Sequence, residues 1–250
     1  MIRYALVRPP GKSFKGCISS HPARHSIDYA LALDQHAKYC DTLMELGLEL
    51  ISLSPDHEHP DSCFVEDTAV LRGDKAFITR MARDSRRGEE YDIVEVLEEY
   101  KRIKRAFAPA TIEGGDVIHF PDKLITGITQ RTNILGVDQM VEWLEVESSL
   151  IEDQSIIHLK SHVTYLGRNT IIVTPAYRNH PVLSTFERIV VPANEEYAAN
   201  TLAIDDVILM PANCKKSIKL VEEHGFAVSP TNMSEFEKCE GALTCLSLIF

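Results

Sequence analysis

Val163-Thr-Tyr-Leu-Gly-Arg-Asn-Thr-Ile-Ile-Val-Thr174 reads as two short apolar strands joined by a tight polar turn at Arg168-Asn169. β-Branched and aromatic residues suit a pleated, half-buried arm, and Asn in a two-residue connection favours a hairpin. Three other segments repeat the design: Thr68 to Thr79 around Gly73-Asp74, Asp116 to Gly127 around Pro121-Asp122, and Thr201 to Pro211 around Asp205-Asp206. Their turns fall near residues 74, 122, 169 and 206. That spacing, roughly 37 to 48 residues, lies in the range of propellers and repeat arrays.

Helical patterns follow most of the hairpins. Apolar positions recur at helical spacing in Glu89 to Phe107, Thr132 to Val146 and Lys215 to Glu223. Ser26 to Leu46 is similar, with Ser26 as the expected cap and Gly47 as the stop. The repeating unit is therefore hairpin, helix, strand. Four units are explicit, and a fifth follows if the strand Arg3 to Val7 joins the segment Gly241-Ala-Leu-Thr-Cys-Leu-Ser-Leu-Ile-Phe250, expected to be a strand with Cys245 in its middle. No linker rich in Gly, Ser or Pro divides the chain, so residues 1–250 read as one α/β domain of approximate fivefold symmetry.

A hydrophobic fraction of 44% and a charged fraction of 25% are those of an ordinary globular protein. The net charge of -11 argues against a nucleic-acid or anionic-membrane partner held by nonspecific electrostatics. No apolar run approaches the roughly 18 to 20 residues of a membrane helix, and MIRYALVRPP has no signal-peptide profile, so the expected compartment is the cytoplasm. Six cysteines (Cys17, Cys40, Cys63, Cys214, Cys239, Cys245) include no C-x-x-C pair. Neither a zinc ribbon nor a disulfide framework is indicated, and reduced thiols are expected.

In a ring of equivalent units, equivalent positions converge on the axis. The residues just before the hairpins are Phe64-Val-Glu-Asp67, Ile112-Glu-Gly-Gly-Asp116, His158-Leu-Lys-Ser-His162 and Tyr197-Ala-Ala-Asn200, and the fifth unit brings Cys245. A free cysteine is commonly a small buried hydrophobe. A thiol, an imidazole and several carboxylates at one axis are instead the set a nucleophilic enzyme needs. His158 and His162 do not make a zinc pair, because strand-like surroundings place i and i+4 more than about 12 Å apart. His162 is expected to be a polar loop or surface residue.

At this point the chain resembles the dimethylarginine dimethylaminohydrolases of the guanidino-modifying, five-bladed α/β propeller (pentein) superfamily. The resemblance is carried by Pro60-Asp-Ser-Cys-Phe-Val-Glu-Asp-Thr-Ala69, Ile78-Thr-Arg-Met-Ala-Arg-Asp-Ser-Arg-Arg-Gly-Glu89, Ile112-Glu-Gly-Gly-Asp-Val117, Gly127-Ile-Thr-Gln-Arg-Thr-Asn133, Ile157-His-Leu-Lys160, Tyr197-Ala-Ala-Asn200 and Gly241-Ala-Leu-Thr-Cys-Leu-Ser-Leu248. It implies pseudo-fivefold ββαβ repeats around a central active-site channel. It also implies that Cys245 is the nucleophile, His158 the general acid and base, and Glu113 the carboxylate beside the histidine. Asp67, with Glu66 next to it, would meet the substrate's guanidinium, and Asp61 its α-amino group. Arg86 and Arg131 would engage its α-carboxylate, a bidentate task for which lysine is a poor substitute. Ile18, in the flexible lid Gly16-Cys-Ile-Ser-Ser-His21, and the backbone of Cys239 would line the rim.

The activity so implied is hydrolysis of Nω-methylated arginine to citrulline and an amine through a covalent S-alkylthiouronium on Cys245, with no metal or organic cofactor. The expected partner is a small guanidino amino acid, with no nucleic acid or membrane; a homodimer is compatible with the resemblance. Arginine deiminases of the same superfamily place an acidic residue two positions after the histidine, where this chain has Lys160. That difference favours N-methylated substrates over plain arginine, the alternative substrate. A non-catalytic, ribosome-binding five-bladed factor would have no reason to carry the Cys, His, Glu, Asp set. Cys239 and Glu240 depart from the family's usual aliphatic residue and aspartate, changes that would touch the rim of the pocket.

Overall fold

Each hairpin in the computed structural model, which describes residues 3–250, is extended by a third strand returning in parallel. In chain order the elements begin with β1 (Arg3–Val7), α1 (Tyr29–Glu45) and β2 (Leu48–Ser52). One blade then contains β3 (Ala69–Arg72), β4 (Lys75–Ile78), α2 (Tyr91–Leu97) and β5 (Arg102–Arg105). The next contains β6 (Val117–His119), β7 (Leu124–Ile128), α3 (Ile134–Leu144) and β8 (Ser148–Glu152). β9 (Val163–Gly167), β10 (Thr170–Val173) and β11 (Glu187–Val190) follow, the crossover being two 3₁₀ turns in place of an α-helix. β12 (Leu202–Ile204), β13 (Val207–Pro211), α4 (Lys215–Glu223) and β14 (Ala227–Thr231) make the fourth hairpin blade. After α5 (Ser234–Glu237), β15 (Ser247–Ile249) pairs antiparallel with β1, which pairs parallel with β2, and the fifth blade closes the ring.

The inner strands are buried along their length, as a strand covered on both faces must be: β4 and β10 have no exposed residue. The core is divided among the blade interfaces, one cluster joining Val70 and Phe77 to Val117, Leu124 and Met140 of the next blade. Each hairpin blade begins with a single 3₁₀ turn, and so does β15: Val65–Thr68, Gly114–Asp116, Leu159–Ser161, Glu196–Ala199 and Thr244–Leu246. Neighbouring turns touch, and together they encircle the axis.

Four expectations are corrected. The apolar pattern from Glu89 to Phe107 is not one helix: α2 ends at Leu97, Ile103 lies on the parallel strand β5, and Phe107 is exposed. The cap of α1 is Asp28, whose Oδ1 accepts from the backbone N–H groups of Ala30 and Leu31, and Ser26 lies outside the helix. Gly47, at φ 84°, does stop it. Cys245 is not in mid-strand but on the last 3₁₀ turn, because the chain must bend at the axis before β15 can pair with β1. Cys17 and Cys239 are not free thiols. They form a disulfide, the fold bringing residues separated by 222 positions to a Cα–Cα distance of 5.8 Å. The other four cysteines are unpaired.

Candidate active site

The five axial turns deliver the chemistry. Asp67 lies on the first turn, Glu113 immediately precedes the second, His158 precedes the third, Asn200 follows the fourth and Cys245 lies on the fifth. Asp67, Arg86, Arg131, His158 and Cys245 line one inner cavity of about 30 Å³, together with Ile18, Asp61 and Cys239. Outside it, a cleft of about 1160 Å³ shares Ile18, Arg131 and His158 with the inner cavity. The inner space holds about one or two waters, far less than a ligand-sized pocket, and Ile18 of the segment 16–21 is among its walls.

Gly115 explains how the turns approach so closely. A Cβ there would lie 2.8 Å from Asp67 Oδ1 and 2.8 Å from His158 Cγ, so only glycine fits. Its N–H uses the space to donate to Asp67 Oδ1 at 3.0 Å. His158 Nε2 hydrogen-bonds Glu113 Oε2 at 2.8 Å and lies 3.6 Å from Asp67 Oδ1. Burial works against a charged imidazole, but Asp67, the Glu113 hydrogen bond and Asp116 outweigh it and raise His158 to about 9. The reciprocal effect holds Glu113 and Asp67 low, against the pull of burial. The Cys245 thiol is pushed well up, by burial first and then by the charges of Glu66 and Asp67. At neutral pH these surroundings favour a neutral thiol and a protonated imidazole on the walls of one cavity.

The two arginines differ. Arg86 is spoken for: its Nε and Nη2 donate to Glu89 at 3.0 and 2.8 Å, and its Nη1 to Asp67 Oδ2 at 2.8 Å. Arg131 is equally buried, yet its Nε and Nη1 have no hydrogen-bond partner, and Glu113 Oε1 stands 3.5 Å from Nη1. Buried guanidinium donors of this kind suit an anionic group. Asp61 accepts from the N–H of Ile18 with both oxygens at 3.2 Å, tying the lid down. Asp67, Glu113 and His158 offer donor atoms within 4.8 Å of one another, a spacing that could hold a metal ion. Arg86 and the His158–Glu113 hydrogen bond engage those atoms in this arrangement.

Glu66 does not join the cluster. Its carboxylate faces the other end of the channel, where Lys160 donates to Oε1 at 2.5 Å and Thr244 to Oε2 at 2.6 Å. His162 borders the outer cleft, half-buried against Tyr177. Two residues that the sequence reading passed over matter here. Glu89 holds Arg86, and Asp116 accepts from Thr129, Thr132 and the N–H of Leu159, fixing the turn behind His158. The Arg86/Glu89 spacing of three was the available signal for the first; the second needs the fold.

Five blades whose turns gather a thiol, an imidazole and carboxylates at one axis make this a protein of the pentein superfamily, a class of guanidine-modifying enzymes. Residues 19–191 match the family model described as N,N dimethylarginine dimethylhydrolase, eukaryotic. The chain is 33% identical to the N(G),N(G)-dimethylarginine dimethylaminohydrolase of Pseudomonas aeruginosa, with 100% of both chains covered, and 33% identical to that of Streptomyces coelicolor, covering 98% of this chain and 95% of the other. It superposes on the Pseudomonas aeruginosa enzyme, solved as a cysteine-to-serine variant with citrulline, with a TM-score of 0.96 at 31% identity over 100% of both chains. The N-terminal domain of a cyanobacterial arginine dihydrolase shares the fold, with a TM-score of 0.89 at 22% identity over 100% of this chain and 97% of that one. The chain belongs to the dimethylarginine dimethylaminohydrolase family. Among the described residues, no helix is long and apolar enough to cross a membrane.

Proposed function

We propose that this chain, acting as one domain, hydrolyses Nω,Nω-dimethylarginine and Nω-monomethylarginine to citrulline and dimethylamine or methylamine. The observation that carries the reading is the inner cavity, where Cys245 and His158 share walls with a buried Asp67 bonded to Arg86 and with Arg131, whose Nε and Nη1 have no hydrogen-bond partner.

A guanidinium is a resonance-stabilised cation, and its carbon resists attack until it is held and its leaving nitrogen is protonated. Asp67 holds it, while Arg131 takes the α-carboxylate and Asp61 the α-amino group. Arg86 acts mainly by fixing Asp67. A cation arriving beside Cys245 offsets the carboxylate charges that suppress the thiolate, so as substrate binds the thiol releases its proton to solvent water, His158 being protonated already. The thiolate adds to the guanidinium carbon, and His158, an imidazolium held by Glu113, gives its proton to the departing amine. The S-alkylthiouronium remains on Cys245. His158, now neutral, takes a proton from water, which attacks the same carbon. The carbon–sulfur bond breaks, and citrulline leaves. Ile18 and the Cys239 backbone form the rim. These steps require no metal or organic cofactor.

We place the protein in the cytoplasm, and its net charge of -11 does not invite a nucleic acid. The test is to incubate purified protein with dimethylarginine, monomethylarginine, arginine and agmatine separately and measure ureido product. Turnover of the methylated arginines is expected; turnover of arginine alone would make the chain a deiminase, and turnover of none would end the enzyme reading.

A further inference from the structure

Lys160 stands two residues after His158 on the same turn, and its side chain runs away from the catalytic cavity. Its Nζ lies 2.5 Å from Glu66 Oε1, with both side chains buried. The other oxygen of Glu66 accepts from Thr244 Oγ1 at 2.6 Å. Thr244 is locked from the opposite side by Asn200, which accepts from its N–H at 3.1 Å and donates to its Oγ1 at 3.2 Å. Thr244 is the residue before Cys245. A chain of buried polar contacts thus runs from Lys160 through Glu66 to the turn that carries the nucleophile.

We infer that Lys160 is a positioning residue for the reaction: it neutralises Glu66, and through Glu66 and Thr244 it fixes the Cys245 turn and protects the thiolate from an unpaired buried carboxylate.

The electrostatic surroundings single out this pair. Glu66 and Asp67 both disfavour the Cys245 thiolate, and Lys160 favours it. Asp67 is already answered by Arg86 and His158, whereas among the described residues Lys160 is the only cation bonded to Glu66. Arg131, Asp61 and Glu240 complete the charged groups of the cavity, and Tyr39, Cys63 and Tyr197 approach from the core, where burial pushes each toward its neutral form. None of these bonds Glu66. Removing the lysine charge leaves a carboxylate buried against Thr244, either ionised and repelling the thiolate or protonated until the pH rises. The same pairing keeps Glu66 out of the substrate cavity, so a guanidinium meets one carboxylate there instead of two.

The inference rests on Cys245 being the nucleophile, and its test avoids substrate, so that a wrong guanidine leaves it standing. The rate of iodoacetamide alkylation of Cys245 is read by mass spectrometry of its peptide between pH 6 and 10 in the wild type, Lys160→Met, Lys160→Arg, and Lys160→Met with Glu66→Gln. Lys160→Met is expected to move the alkylation profile to higher pH by about one unit, about tenfold in rate at fixed pH. Lys160→Arg and the double variant should return to within about twofold of wild type, since each leaves no unpaired charge. An unshifted Lys160→Met profile overturns the proposal. So does a double variant that alkylates as slowly as the single one; if Lys160→Met fails to fold, a folded double variant that alkylates about tenfold more slowly than wild type overturns it instead. In turnover, Lys160→Met should lower kcat with a displaced pH profile more than it raises KM.

Discussion

Replacing both Cys17 and Cys239 by alanine isolates what their bond contributes. It closes a loop with a sequence separation of 222, for which lost chain entropy in the unfolded state gives about 5 kcal/mol as an upper figure and about 2–4 kcal/mol in common experience. At about 2–4 °C of Tm per kcal/mol for a chain of this size, the double variant should melt about 10 °C below the oxidised wild type. The lid would not come free altogether. Ser19 Oγ still donates to the Lys238 carbonyl at 2.8 Å, and Ser20 donates to Glu240 from both its N–H and its hydroxyl, at 2.8 and 2.7 Å. Each such bond contributes about 1 kcal/mol net, so the lid opens more often without being lost. Turnover should persist, with KM for dimethylarginine raised. Calorimetry with and without dithiothreitol is the assay: the reductant should bring the wild type down to the variant and leave the variant unmoved. Equal Tm values for both proteins in oxidising buffer would refute the reasoning. The outcome also bears on the compartment, since a reducing cytoplasm would hold the pair as thiols.

Other outcomes follow from the site. Cys245→Ala should lower kcat by more than about 10⁴-fold in a citrulline assay while melting within a few degrees of wild type. Arg131→Ala should raise KM for dimethylarginine by about 10- to 100-fold, the worth of a charge-assisted contact, and leave turnover of a carboxylate-free guanidine little changed. With His158 raised to about 9, the basic limb of kcat/KM should lie near that pH; Glu113→Gln, which removes a cause of the rise, should move it down, and a limb that stays in place would contradict the assignment. Because folding raises that group from 6.5, its contribution to stability is complete below pH 6.5 and is lost as pH climbs through about 9. His158→Asn should flatten the fall of Tm over that interval.

The hairpins were legible because a turn dipeptide between β-branched arms is local information, and four repeats of it gave the ring. The pairing of β1 with β15 followed from counting blades. Helix limits were less legible: Ile103 fits a helical period as well as it fits β5, and only the parallel partner β4 decides between them. Glu66 and Asp67 are neighbours of the same type, yet the turn sends one carboxylate to each end of the channel. The Cys17–Cys239 bond had no local signal, since its members meet only after the ring closes. Arg86 and Arg131 look alike as letters, and differ because Glu89 lies three residues from one of them and not from the other.

At the point of closure, Tyr4 and Phe250 exchange backbone hydrogen bonds at 2.7 and 3.0 Å. The molecule is therefore a cycle with one peptide link replaced by strand pairing, and its chemistry depends on the order of blades around the axis more than on the order of residues along the chain. Linking residue 250 to residue 3 and opening the exposed tip at Arg168-Asn169 should yield a permuted chain with the same site. A cut at that tip without the link divides the reaction itself. One fragment carries Asp67, Glu113 and His158, the other carries Cys245, and citrulline would form only when the two halves find each other.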